Sequence, residues 1–433
     1  MSSGSKRRSS IMRPIPVLLA MLLLATPLAN AAEPGLASGA HVESLLEFAR
    51  ARHPEFAALR AEAEAAAARV EPAGALPDPV LRTELRNVTN AGSDAGANLL
   101  PSRVGSTRYA VSQTLPWFGK RDLRREVAGA GADEARARAR AGWMDLATRI
   151  KLNYAQHHVH MASIRNAQEN LDLMRRLAEI ARVRYASGLG SQQDALRAQA
   201  EITAMQTELV MLEGENAQSA ARIRALLGRP ENLTLHPPEN LRTLPTAAKL
   251  DVAALEERLR ANNPQLVADD ARIAGAEKGR DLVQRNRYPD VSLGVAPIQT
   301  RNRVGEWELM FEINIPLQRD SRRAQEREAD LTLEAARLRR QGNLNQSLAE
   351  LSESLAGMDV ARRLEALVAT GLLPQAELNL NAALAGYENG RADFAAVLDA
   401  HRALRKARLD LVKARADQQA RLAEIEKMVG EEL

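Results

Sequence analysis

The chain contains no cysteine. Disulfides, thiolate metal sites, cysteine nucleophiles and lipid anchors on cysteine are excluded together. Aromatic residues make up only 3% of the sequence, too few to fill a wide core with large rings. Beyond the first thirty residues no run of about 18 apolar residues occurs, which excludes a transmembrane helix. Catalytic signatures are missing too: there is no G-x-x-x-x-G-K loop, no G-x-S-x-G elbow and no H-E-x-x-H pair. No enzymatic activity and no cofactor are expected.

Net charge also vanishes on inspection. The 433 residues carry 59 basic and 55 acidic side chains. Lys6, Arg7, Arg8 and Arg13 precede the apolar stretch "IPVLLAMLLLA" and the small-residue site "ANA", Ala29 to Ala31. Residues 1–31 therefore read as a cleaved signal peptide. Without them the charges balance, and nothing points to nucleic acid. The remainder is expected to leave the cytoplasm.

What is present is said twice. "RHPEFAALRAEAEAA" from Arg52 echoes "NNPQLVADDARIAGAE" from Asn262. "LPDPVLRTEL" from Leu76 echoes "YPDVSLGVAP" from Tyr288, and "VSQTLPWFGKRDLRRE" from Val111 echoes "FEINIPLQRDSRRAQE" from Phe311. "YASGLGSQQDAL" from Tyr185 echoes "YENGRADFAAVL" from Tyr387. The offset stays near 200 residues, the mark of a tandem duplication. The first repeat covers 32–227 and the second 252–433. A Pro- and Asn-rich equatorial linker, 228–251, joins them.

Each repeat predicts a helix, a β-hairpin and a long helical hairpin. Ala198, Ile202, Met205, Leu209 and Leu212 follow alternating three- and four-residue steps, as do Leu344, Leu348, Leu351, Leu355 and Met358. Such narrow seams suit helix–helix contact of coiled-coil type. Unbroken helices are expected from Arg121 to Ala186 and from Arg319 to Glu388, each on the order of 100 Å long. Their ends, near 187–191 and 389–393, carry glycine as a left-handed cap. The expected β-hairpins, at about 80–115 and 291–315, alternate with period two. Trp307, Leu309, Phe311 and Ile313 oppose Glu306, Glu308 and Glu312; Leu81 and Leu85 oppose Arg82, Glu84 and Arg86.

Four strands with one apolar face cannot close a membrane barrel, which needs about eight or more. Three chains would supply twelve, with the charged face lining water and the helices prolonging the tube. The alternative reading is a soluble periplasmic coiled-coil adaptor or scaffold.

The duplicated plan, the junctions "QTLPWFGKRDLRRE" and "NIPLQRDSRRAQE", and the Tyr-x-x-Gly ends resemble the TolC family of outer-membrane efflux proteins. The resemblance implies a mainly α protein: a homotrimeric α-helical barrel topped by a twelve-stranded outer-membrane β-barrel, reaching into the periplasm. It implies partners too: outer-membrane lipid, a periplasmic adaptor and an inner-membrane RND-type pump. "LPWFGKR" is similar to the branch serving heavy-metal pumps, whose cargo would be cations such as copper or silver. Many relatives are cysteine-anchored lipoproteins; this chain, lacking cysteine, is expected not to be.

Site residues follow. By family offsets from Tyr-x-x-Gly, two gate positions fall on Ala396 and Asp399, and on Asp194 and Arg197 in the first repeat. Asp399 and Asp194 would form carboxylate rings that favour cations. Tyr185, Gly188, Tyr387 and Gly390 are expected adaptor contacts at the helix tips. Arg82, Glu84, Arg86, Glu306, Glu308 and Glu312 would face the lumen. Trp117, Phe118 and Trp307 would sit at the membrane interface. His157, His160 and Met161, at helical spacings of three and four, form a candidate soft-metal contact.

Overall fold

The computed structural model describes residues 41–88, 99–228, 235–236, 238 and 240–433. The leader expected at 1–31 and part of the expected linker lie outside the described residues. Proline opens the corresponding helix of each repeat. α1 (Val42–Arg52) yields to α2 (Pro54–Ala68) at Pro54, as α6 (Val252–Asn262) yields to α7 (Pro264–Arg285) at Pro264. A proline at the first helical position forfeits only an N–H that would have had no helical partner. Asn263 caps α7, accepting from the N–H groups of Gln265 and Leu266. A single turn, α3 (Val70–Ala73), completes the first repeat's short helices.

The strands are β1 (Val80–Arg86), β2 (Ser106–Leu115), β3 (Val291–Thr300) and β4 (Arg303–Ile313). They form one antiparallel sheet in chain order, and the β2–β3 pairing joins the two repeats. β1 and β4 are its outer strands. β4 stops at Ile313, two residues before the expected boundary; one further ladder bond, from the Asn314 N–H to Asp290 O, follows it, and Pro316 then has no N–H to offer.

α4 (Lys120–Ala186) runs unbroken for 67 residues and returns as α5 (Gln192–Leu226). The second repeat departs from expectation. α8 (Arg319–Leu367) gives way to a π turn, Val368–Leu372, before α9 (Leu373–Glu388) and α10 (Phe394–Val429). The cause is Pro374, which has no N–H to offer residue 370 and crowds the preceding turn. The Leu373 N–H reaches back five residues to Val368 O, absorbing the mismatch as one wide turn. The seam periodicity hid this proline.

Among the described residues, two of the hydrophobic clusters follow the seams. One, toward the helix ends, gathers Met174 of α4, Ile202 and Met205 of α5, Leu380 of α9 and Phe394 and Val397 of α10. The other packs Leu255, Leu259 and Leu266 against Leu351, Met358, Leu422 and Ile425. Between the repeats, residues 240–246 strap across the helices. Arg242 donates to both Glu426 oxygens at 2.9 Å, and Lys151 reaches the same carboxylate at 2.8 Å. Glu426 is buried, so two cations and the Leu433 N–H, at 3.1 Å, compensate one desolvated charge.

Candidate functional site

The sheet has two unlike faces, and the register assigns each side chain to one of them. Leu81, Val111, Leu293, Trp307, Leu309 and Phe311 share a face and are exposed, Leu309 to 88%. The opposite face gathers Arg82, Glu84 and Arg86 of β1, Arg108 and Thr114 of β2, and Glu306, Glu308 and Glu312 of β4. The six charged residues expected on one face are thus brought together. An apolar face of this extent left in water is costly, at roughly 25 cal/mol per Å².

Arg108 organises the charged face, and the sequence reading did not single it out although it obeys the same alternation. Its Nε donates to Glu308 at 2.7 Å, its Nη1 lies 3.5 Å from Glu84, and Nη2 meets the Met310 sulfur. One guanidinium therefore ties β1 and β2 to β4 across β3. Small residues leave it room: Ala296 stands opposite Glu308, and Gly294 opposite Met310. A Cβ on Gly294 would lie 2.8 Å from Met310 Cε and 3.1 Å from Val111 O.

Where the sheet meets the helices, Trp117 lies parallel to Tyr288, with ring centroids 5.5 Å apart and planes at 6°. Phe118 meets Trp117 edge-on and is 84% exposed. Asp290 fixes the corner, accepting from the Trp117 N–H at 2.8 Å and from Lys120 Nζ at 2.7 Å. Gly119 turns the chain at φ +80° into α4. The expected aromatic pair thus has a third ring from the other repeat. The sequence hint was the match of Leu76-Pro-Asp78 to Tyr288-Pro-Asp290, in which only the second carries an aromatic.

At the far end both long hairpins close alike. The Gly188 and Gly390 N–H groups bond Tyr185 O and Tyr387 O; the next residues, Leu189 and Arg391, bond Arg184 O and Gly386 O, each at 2.8 Å. Both glycines hold positive φ, 70° and 71°, as a Schellman end requires. The tyrosines differ. Tyr185 is exposed, whereas Tyr387 is 3% exposed, edge-on to Phe394 at 5.7 Å. Tyr387 therefore packs the tip and does not form its outer surface, contrary to expectation. Above it lies Arg184, another residue the sequence reading passed over. Its guanidinium is 5.0 Å from the Tyr387 ring and donates to Tyr387 O at 2.6 Å, Glu388 O at 3.0 Å and Leu189 O at 3.2 Å. One side chain of the first repeat thus covers the carbonyl end of a helix of the second, where positive charge is favoured.

The gate candidates stand just beyond. Asp194 lies in the first turn of α5, which Ser191 caps by accepting the Asp194 N–H. Asp399 is one turn into α10 and projects into solvent, 4.0 Å from Arg402. Asp393 is the α10 cap, accepting the Ala396 N–H at 2.8 Å. Nearby, His401 is fully buried with neither ring nitrogen bonded, and burial holds its pKa down at about 4.

The two histidines of the candidate cluster have unlike surroundings. His157 is buried with Nδ1 unbonded, and burial followed by His160 and His158 lowers its pKa to about 4. His160 instead faces Glu215 at 3.4 Å and Gln156 at 3.0 Å. Among the described residues no group of three or more His, Cys, Asp or Glu side chains is placed to hold a metal ion. The helical spacing was right, but packing turns His157 into the helix interface.

A sheet with one exposed apolar and one charged face, carried on two long helical hairpins, defines one protomer of an outer-membrane channel. The chain belongs to the outer membrane efflux protein family, whose model matches residues 45–229 and 255–431. It is similar to the cobalt-zinc-cadmium resistance protein CzcC of Cupriavidus metallidurans, 25% identical over 85% of this chain and 84% of that protein. It is also similar to the pyoverdine export outer membrane protein OpmQ of Pseudomonas putida, 25% identical over 59% of this chain, an alignment spanning 55% of that protein's length. Among solved structures, the outer-membrane channel OprN superposes with a TM-score of 0.78 at 21% identity, over 90% of this chain and 89% of that one. CusC gives 0.77 at 19%, over 91% and 92%. These likenesses show the fold.

Proposed function

We propose that the chain is the exit duct of a tripartite efflux system: a homotrimer whose twelve strands close a barrel in the bacterial outer membrane. The observation that carries this is the four-stranded sheet with its exposed apolar face and two unclosed outer strands, β1 and β4. Pairing β4 of one copy with β1 of the next removes both edges and turns the exposed apolar face toward lipid. The face bearing Glu84, Arg108 and Glu308 then lines water. Transport is passive: the protein supplies a path and a gate, while a periplasmic adaptor and an inner-membrane RND-type pump supply the drive. Adaptor helices pack against the tips around Tyr185, Gly188 and Gly390. Asp399 and Asp194, each repeated three times around the axis, concentrate cations at the narrow end.

Heavy-metal cations are the proposed cargo. The similarity to CzcC supports this, as do the carboxylates along the proposed path. Residues 1–31 act as the export signal, and no lipid anchor is used.

Membrane fractionation tests the duct. A heat-modifiable trimer that requires detergent supports it; recovery as a soluble periplasmic monomer refutes it and favours a coiled-coil adaptor or scaffold. Deletion followed by growth on copper, silver, zinc, cobalt and organic toxicants tests the cargo. Sensitivity to metals alone supports the reading, and unchanged metal tolerance overturns it.

A further inference from the structure

The junction between sheet and helices carries more positive charge than its structural contacts use. Residues 74–79, 116–124, 285–290 and 316–323 hold eight basic and four acidic side chains, in a chain whose totals are 59 and 55. Four of the eight are committed to the corner. Lys120 binds Asp290 and Tyr288 O, Arg121 donates to Gly74 O, Arg287 pairs with Glu326 and Arg322 donates to Asn286 O. Arg285, Arg319 and Arg323 are exposed; the last lies 3.9 Å from Asp320 and also acts on Glu326.

Arg285 is held in a particular way. Its Cζ lies 6.0 Å from the centre of the Tyr288 ring, and that ring stacks on Trp117. On its other side is Gly119, whose absent side chain leaves a Cβ position 3.7 Å from Arg285 Cζ. Indole, phenol and guanidinium thus form a continuous series of contacts that helps to hold an exposed guanidinium in place. Phe118, edge-on to Trp117, is 84% exposed, and Ile315 and Leu317, 61% and 79% exposed, extend the alternation of the apolar face beyond β4. This is an amphipathic rim: hydrocarbon above, planar cation below.

We propose that this rim binds the phosphodiester headgroup of an anionic glycerophospholipid in the periplasmic leaflet of the outer membrane, with Arg285 as the principal contact and Arg319 and Arg323 beside it. The proposal rests on the duct reading, because only a membrane-spanning sheet brings lipid to this level. Three observations select the occupant. The charge is positive where a headgroup is negative; a forked guanidinium matches two phosphate oxygens. The adjoining surface is apolar where acyl chains would lie. The exposed aromatic edges sit where one end of a side chain must be greasy and the other wet. An amine-bearing or zwitterionic headgroup would gain the aromatic contact but lose most of the charge attraction.

The test uses the full chain purified in a neutral maltoside detergent. Dioleoyl phosphatidylglycerol or dioleoyl phosphatidylcholine is titrated in, with lipid retention read by native mass spectrometry and Tm by circular dichroism. The expected result is retention of phosphatidylglycerol over phosphatidylcholine by about tenfold or more, with a raised Tm. Arg285→Gln should reduce that preference about three- to tenfold, and Arg285→Gln combined with Arg319→Gln and Arg323→Gln should abolish it. Should the triple variant fold poorly, Arg285→Lys keeps the charge but loses the planar stack, and should give an intermediate preference. Equal retention of the two lipids overturns the proposal. A Tm rise with inorganic phosphate alone that equals the phosphatidylglycerol effect overturns it also, and marks a free-phosphate site. A chain that needs no detergent would sink the duct reading itself; a detergent-requiring trimer without headgroup preference sinks only this inference.

Discussion

Arg184→Ala tests whether the tips are held shut by a contact between the repeats. The native guanidinium makes three hydrogen bonds to carbonyl oxygens and covers the Tyr387 ring. Hydrogen bonds from a charged donor contribute roughly 1.5–3 kcal/mol, and a half-exposed cation–π contact about 0.5–1 kcal/mol more. The three bonds share one donor group and part of it is wetted, so a total loss of about 2–4 kcal/mol per chain is expected. In the proposed trimer, an opening that parts Arg184 from Tyr387 in each chain would be favoured by that loss three times over, enough to populate an open tip. The assay is single-channel conductance of the purified protein in planar bilayers, beside thermal unfolding. Arg184→Ala should raise the open fraction at least tenfold while the sheet and the upper helices remain intact. Arg184→Lys should fall between, since one ammonium cannot span the carbonyls of Tyr387, Glu388 and Leu189 together. Tyr387→Phe is the internal control. The Tyr387 hydroxyl is buried without a hydrogen-bond partner, so its removal should be neutral or stabilising by about 1 kcal/mol. Unchanged conductance and Tm in Arg184→Ala would refute the reasoning.

Acid should weaken the helix ends. His401 titrates near 4 in the folded protein, below its ordinary value, so the unfolded chain takes up the proton first. Its stabilising contribution is present above about pH 6.5 and is lost as pH falls toward 4, on the order of 3 kcal/mol in all. His157 and His158 are shifted in the same sense, so His401→Leu should remove about a third to a half of the fall in Tm over that window; an unaltered slope would count against it. Gly430→Ala should cost about 2–4 kcal/mol by denaturation, because φ is +80° and its Cβ would lie 2.5 Å from Asn262 O. Pro374→Ala should let the π turn relax to an ordinary helix and raise Tm slightly; hydrogen exchange at residues 368–374 would report the change, and slower exchange is expected.

Much of the architecture was legible because it rests on periodicity. Alternation along β1 and β4 put Glu84 and Glu308 on one face, and the register agrees. The repeated Tyr-x-x-Gly located both hairpin ends. What escaped reading depends on contacts between residues about 200 positions apart. Tyr288 looked like an isolated tyrosine until the corner placed it on Trp117. Arg184 was one arginine among many on a charged helix, and only the approach of α9 gives it carbonyls to cover. His157 had metal-ligand chemistry and spacing, but the sequence does not say which side of α4 turns inward at that height. Pro374 was visible and informative, yet the leucine seam around it concealed its effect.

The π turn at 368–372 has a consequence for symmetry. In the proposed trimer, three duplicated chains would make a ring of six hairpins that looks six-fold, since both hairpins of each chain close with the same glycine geometry. Only the hairpin of the second repeat contains the wide turn; α4 passes the corresponding stretch unbroken. Alternate members of that ring would therefore differ in backbone hydrogen bonding, three carrying a wide turn and three not. An aperture bounded by two alternating kinds of stave would have three-fold and not six-fold symmetry, so its opening would be expected to follow a triangle and not a circle.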